Sequence, residues 1–377
     1  MRDRVKSIEG CRGLAAIIVL ITHFIVMFYP AVYWGREYTH WRQGLDYLLG
    51  QQLPVPAGES GVLLFMIITG FGTYIAIDSA NIDIRKYLLL RYFKLLVLTL
   101  LGAIPTILML QRGLIFVPDI LGSINTPWLY GWPPQEIDFW HNLLHSPLSS
   151  LMIYNGVLWT MPFFFWGTLL SFILTSIFSP SFRENLYVLL GTIVILANIG
   201  QYYYIVFATG VFLAYCYKYY PQKFQVSTIK QIVIFLLALY LSSYPTGITG
   251  REGIYLHHGF QQAHIIYHTV GSTMFVMLVL MQQSFVKHIM EHKIFLWLGK
   301  YSMGIYLTHY PVLVSLIAFL YKQLPETWSY SGRTMSLFII YSICGLVAGI
   351  PMQIAGNYLC KWMDKRYKDI FRRCCSE

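Results

Sequence analysis

Apolar runs of membrane-crossing length recur along this chain, and that recurrence limits its folding more than any other feature. A helix spanning a bilayer needs about 20 mostly apolar residues. Runs meeting or approaching that length occur at roughly 12–30, 60–77, 88–110, 156–178, 186–200, 203–217, 230–243, 265–283, 302–320 and 335–356. The shortest are 186–200 and 230–243. A length of 377 residues would allow two or three soluble domains. The composition argues against that: 12% of residues are charged, where a soluble domain carries about 25%. The expectation is an all-α fold, a single polytopic membrane helix bundle over 1–377 with about ten transmembrane helices. The first run has no small-x-small cleavage site after it, and "FYPAVYW" follows, so it reads as a retained helix.

The basic residues orient this bundle. With the N-terminus inside, the inner pieces hold 21 of the 27 Lys and Arg residues, and the outer pieces hold Arg36, Arg42, Arg112, Arg251, Lys322 and Arg333. Such a bias supports both termini in the cytoplasm, with an inner tail at about 357–377. The net charge is +10, but no basic run lies on a soluble face, so a nucleic-acid partner is not expected. The outer segments 31–59 and 111–155 are rich in Pro, Trp, Tyr and Gly. Interfacial belts account for such residues, with stacking on sugar rings as the alternative.

All six cysteines (Cys11, Cys216, Cys344, Cys360, Cys374 and Cys375) fall in expected helices or on the inner side, so no disulfide framework is implied. The pairs His141–His145 and His264–His268 have HxxxH spacing but lack the glutamate of a zinc-protease helix. No metal is expected.

Ionisable residues inside a bilayer are expensive and are functional candidates by default. "CRGLAAIIVLITHF" carries Arg12 and His23, 11 positions apart. At 100° per residue this is about 20° past three full turns, so both side chains share a face, about 16 Å apart along the axis. Arg12 falls at the cytoplasmic mouth and offers a planar cation for phosphate or carboxylate. His23 falls near mid-membrane and exchanges protons near neutral pH. "RKYLLLRYFKLL" adds Arg91 and Lys94 on the inner side. "LGKYSMGIYLTHYPV" places Ser302, Tyr306 and His309 in the ninth run, the last two one turn apart. "GVLLFMIITGFGTY" holds Thr69, Gly70 and Gly72, small residues that permit close helix approach.

Taken in order, these stretches resemble the motifs of the acyltransferase-3 family of integral membrane acyltransferases. Arg12 and His23 match its Arg, ten residues, His signature. "GESGVLLFMIITGF" is similar to its second-helix motif, with Thr69 for the usual serine. "LRYFKLL" is similar to its Arg-x-x-Arg motif, with Lys94 in second place. "LWTMPFFFWGTLL", which holds Trp159, resembles its Leu-Trp-Ser/Thr-Leu motif, and "FATGVFLAY" its Gly-containing later helix. "YLTHYP" resembles its Tyr-Leu-x-His-x-Pro motif. One departure stands out: many members have an acid where this chain has Phe164, which leaves Glu59, Glu136 and Asp138 as outer-side alternatives.

The resemblance implies transfer of an acetyl group from cytoplasmic acetyl-CoA to a hydroxyl of a cell-surface or lipid-linked polysaccharide, by a multi-pass protein of a bacterial plasma membrane. It implies His23 as general base or transient acyl carrier. Arg12, Arg91 and Lys94 would hold the CoA phosphates, and Thr69, Trp159, Ser302, Tyr306 and His309 would line the substrate path. Succinyl or another acyl group is an alternative donor cargo. A non-enzymatic polysaccharide exporter is the other class; it predicts inverted halves and broken helices, and the sequence has no such symmetry.

Overall fold

The structure is a computed structural model that describes residues 5–34, 44–49, 54–78, 84–124, 144–145, 147–148, 155–246, 255 and 263–374. Every regular element among them is helical. Ten long helices form the bundle: α1 (Lys6–Phe28), α2 (Gly58–Asp78), α3 (Ile84–Gln111), α4 (Met161–Ile177), α5 (Phe182–Asn198), α6 (Tyr202–Tyr219), α7 (Thr228–Ser242), α8 (Ala263–Leu280), α9 (Lys293–Val312) and α10 (Tyr330–Cys374). Each of the ten apolar runs is therefore a helix, the short ones included.

Among the described residues, six helical stretches are long and apolar enough to cross a membrane: α1, α2, α3, Leu158–Ile177, Lys293–Gln323 and Tyr330–Arg366. The stretch 158–177 is α4 with the 3₁₀ turn Leu158–Thr160 ahead of it. The other four helices have 15 to 18 residues. Two of these, α5 and α7, leave Val194, Ile195, Val233 and Leu236 exposed. Water would make such faces a liability, whereas lipid tails solvate them.

Chain direction alternates through the bundle. α1 and α9 run parallel, with Gly13 against Gly299 and His23 against His309. α2 and α6 also run parallel, with Glu59 bonded to Tyr203 at one end and Asp78 to Lys218 at the other. α1 and α2 are antiparallel, as are α9 and α10. Helices of like parity run the same way in every such pair.

α1 and α9 form the centre of the bundle. A Cβ on Gly299 would overlap the Glu9 carbonyl, and one on Gly13 would strike the Gly299 backbone. Only glycine at both places lets the helices meet backbone to backbone, which is how membrane helices associate without a hydrophobic driving force. Pro311 ends the regular ladder of α9, and a π turn at Leu313–Ile317 leads into the short helix Ala318–Gln323. The Val314 carbonyl there accepts from the Phe116 amide at 3.2 Å. π turns of this kind recur at functional sites.

Three details differ from the sequence reading. α1 begins six residues early, at Lys6. α10 does not stop near 356 but continues as helix to Cys374, so the expected inner tail is largely its last turns. Gly70 packs on the Phe207 backbone of α6 as expected, but Gly72 has nothing within 4 Å and serves no close approach.

Candidate active site

The two facing helices at the centre bring together two histidines far apart in sequence. His23 Nδ1 donates to the Val19 carbonyl at 2.9 Å, and His309 Nδ1 donates to the Ile305 carbonyl at 3.0 Å. A carbonyl only accepts, so in the neutral rings both Nδ1 atoms carry the hydrogen and both Nε2 atoms the lone pair. These tautomers are assigned from the bonding pattern. His309 Nε2 stands 3.3 Å from His23 Nδ1, and the ring centroids are 4.9 Å apart at 60°. The second ring thus points an acceptor at the N–H of the first. A proton taken up at His23 Nε2 makes an imidazolium that the Val19 carbonyl and the His309 lone pair both stabilise. His309 is fully buried and His23 partly so. Tyr310 closes on His23 edge-on at 5.9 Å.

Tyr306, one turn before His309, anchors the site to the start of α4. Its hydroxyl bonds the Val157 carbonyl and Thr160 Oγ1, each at 3.0 Å. Asn155 fixes the same junction. It is fully buried, its Nδ2 donates to the Gly102 carbonyl of α3 at 3.1 Å and the Leu307 carbonyl of α9 at 2.9 Å, and its Oδ1 accepts from the Val157 amide. Sequence reasoning missed Asn155. An asparagine three residues ahead of "LWT", where an apolar helix begins, was the available signal.

At the inner mouth, Arg12 pairs with Glu9 at 3.5 Å. Arg91 of α3 lies close enough for its charge to act on that of Arg12, and its buried Nε has no hydrogen-bond partner. Lys94 pairs with Asp364 of α10 at 3.1 Å. The sequence placed three cations together there; in the structure Arg12 and Lys94 each have an acidic partner. Three buried hydroxyls of α1, α3 and α9 (Ser7, Thr99 and Ser302) are also without hydrogen-bond partners. Unmade bonds of this kind cost about 1–3 kcal/mol each unless a ligand completes them.

The remaining expected site residues are distributed elsewhere. Thr69 turns its hydroxyl into its own helix, to the Phe65 carbonyl at 2.9 Å. Trp159 joins Phe163 and Tyr203 in an aromatic group, with ring centroids 5.1 to 5.5 Å apart. Phe164 is buried against Phe207 of α6, an apolar place for a position that is acidic in many members of the family it resembles. Of the alternative acids, Glu136 and Asp138 lie outside the described residues, as does His141. Glu59 is held by Tyr203 and His268, so the His264–His268 pair faces a carboxylate.

A helical bundle with several helices long and apolar enough to cross a membrane, and with two histidines paired between its central helices, defines an integral membrane protein. A family model described as acyltransferase domain matches residues 5–354, nearly the whole chain, and the chain belongs to the acyltransferase-3 family. It is a membrane acyltransferase, acting on groups other than amino-acyl groups. No curated protein and no solved structure is matched.

Proposed function

We propose that this chain is an O-acetyltransferase of a bacterial plasma membrane that modifies a surface or lipid-linked polysaccharide from cytoplasmic acetyl-CoA. The observation that carries this reading is the His23–His309 couple inside a chain of this family. The alternating helix directions support ten crossings with both termini on one side and the whole chain as one domain, and the bias of basic residues supports that side being the cytoplasm.

The acyl donor is a substrate, with its phosphates toward the cytoplasm. Arg12 and Arg91 suit those phosphates, since a guanidinium offers a planar fork of donors. The lone Arg91 Nε and the unpartnered hydroxyls of Thr99 and Ser302 give the polar groups of a donor arm something to bind. His23 sits further in, where the thioester would lie. Its Nε2 takes the proton of the acceptor hydroxyl as that oxygen attacks the thioester carbonyl carbon. The C–S bond then breaks, the new C–O bond remains in the ester, and the His23 proton passes to the thiolate. His309 acts on His23 Nδ1 and holds the ring while it is charged.

The test is mass analysis of the surface glycan in cells carrying the wild-type chain, His23→Ala, or no chain. The reading predicts acetyl groups only with the wild type, and a fall of about 10²–10⁴-fold in transfer rate for the variant, the usual contribution of a general base. Unchanged acetylation with a correctly inserted His23→Ala chain overturns it. A glycan bearing succinyl groups instead would keep the mechanism and change the cargo.

A further inference from the structure

A proline inside a helix lacks the hydrogen that the carbonyl four residues earlier requires. Pro311 lies inside α9, so the carbonyl deprived of its regular partner is that of Leu307. In a membrane bundle a neighbouring element has to complete such a group. Here a side chain does so, because Asn155 Nδ2 lies 2.9 Å from the Leu307 oxygen. Leu307 is buried, directly follows Tyr306, and precedes His309 by two residues.

We propose that Asn155 is a positioning residue for the reaction: its amide takes the place of the backbone hydrogen that Pro311 lacks, fixes the course of α9 at His309, and so holds that ring on His23. This rests on the acetyltransfer reading above. Three observations carry it. Asn155 is fully buried, and its whole amide is committed to backbone. Nδ2 also reaches the Gly102 carbonyl of α3 at 3.1 Å, and Oδ1 accepts from the Val157 amide at 3.3 Å. Both partners of Nδ2 only accept and the partner of Oδ1 only donates, so the bonding pattern fixes the amide's orientation. The residues that follow hold α9 as well. A Cβ on Gly156 would come within 2.9 Å of the Tyr310 ring, and the Val157 carbonyl accepts from the Tyr306 hydroxyl at 3.0 Å. Residues 155–157 thus meet Leu307, Tyr310 and Tyr306 in turn. Finally, the two rings held in this way flank the histidines, Tyr306 with its centroid 6.0 Å from that of His309 and Tyr310 5.9 Å from that of His23. His309 takes its ring orientation from the Ile305 carbonyl. Any shift of the backbone over 305–309 therefore carries Nε2 off its 3.3 Å approach to His23. A role in packing alone is the competing account. It predicts lost stability with no loss of rate per folded molecule.

The experiment combines Asn155→Ala with Pro311→Ala in the purified full chain. Alanine at 311 restores the N–H that the Leu307 carbonyl lacks. Acetyl transfer from acetyl-CoA to surface glycan isolated from cells without the chain gives kcat and the KM for acetyl-CoA. Asn155→Ala should lower kcat about 10–100-fold, as for a displacement on the order of 1 Å at reacting groups. The KM should stay within about a factor of two. The same substitution made on Pro311→Ala should cost about threefold or less, because the carbonyl then has a donor in its own helix. Wild-type kcat in Asn155→Ala overturns the proposal, whatever the melting temperature. So does an equal loss in both backgrounds, since the Leu307 carbonyl is then not what the amide serves. If Asn155→Ala is not recovered folded, the double variant decides. Its recovery with the kcat of Pro311→Ala supports the proposal, and its failure to fold or to transfer overturns it. A wild-type chain that moves no acetyl group defeats the acetyltransfer reading itself, and the positioning role falls with it.

Discussion

A histidine that touches another histidine is chemically different from one that touches an amide. His309 donates its only hydrogen to Ile305, so it meets His23 as an acceptor. Replacement by Gln keeps an acceptor oxygen near His23 Nδ1, whereas Leu removes it and takes one supporting group from the charged form of His23. The expected order of kcat is wild type, then His309→Gln, then His309→Leu, with the last down about 10–100-fold, the effect of losing one bond to a charged group. The KM for acetyl-CoA should stay within a factor of two, roughly the noise of such a comparison. Single-turnover acetyl transfer by the purified chain measures both. An equal effect of Gln and Leu would assign His309 to packing. Of this site, the sequence exposed the two histidines and their depth, because an ionisable side chain in an apolar run is visible on its own. It did not expose their contact. That depends on the register of α1 against α9, which is set by glycine contacts between segments almost 300 residues apart.

At the scale of helices, the same register is open to a paired test. Gly299 has the Glu9 carbonyl within the radius of a Cβ, and neither partner is a flexible side-chain end. Gly299→Ala must therefore push α1 and α9 apart. Overpacking of this kind costs about 1–3 kcal/mol, and a backbone clash belongs at the upper end. Gly72→Ala is the control, because nothing lies within 4 Å of it. There the alanine should be neutral or stabilise by up to about 1 kcal/mol through helix propensity. Thermal unfolding in detergent reads both, and comparable destabilisation of the two would remove the argument. This pair shows what was legible. Helices were readable from apolar length, down to the 15-residue α7. Small residues were recognised as contacts in general, but which of Gly70 and Gly72 makes one depends on the face turned to α6. The helical extension of α10 was hidden for a related reason. Its last turns are charged and are not marked by apolar length, although Asp364 ties them to Lys94.

For the molecule as a whole, the open quantity is the number of crossings that the short helices make. α7 has 15 residues, about 22 Å of helix, against a hydrocarbon core of about 30 Å. A short helix crosses only where the bilayer thins or flanking side chains snorkel. Direction favours crossing. α6 runs parallel to α2, and α8 runs parallel to α2 as well, from Glu59–His268 to Ser60–Ser272. α7 connects α6 to α8 and must therefore return the chain to the side from which α8 starts. A re-entrant α7 would leave α8 beginning on the wrong side and would move Lys287, Lys293 and Lys300 outward, against the charge rule. Cysteine labelling decides the matter in a background with the native cysteines replaced. With an impermeant maleimide applied to intact cells, Gln201→Cys, in the turn between α5 and α6, should label. Ser227→Cys, ahead of α7, and Gln282→Cys, after α8, should label only once the membrane is permeabilised. All three positions are exposed in the fold, so protection reports the membrane rather than burial. Labelling of Gln282→Cys in intact cells would remove one crossing between α6 and α9. It would also put His23 and His309, whose helices run parallel, on opposed orientations that the bundle cannot accommodate.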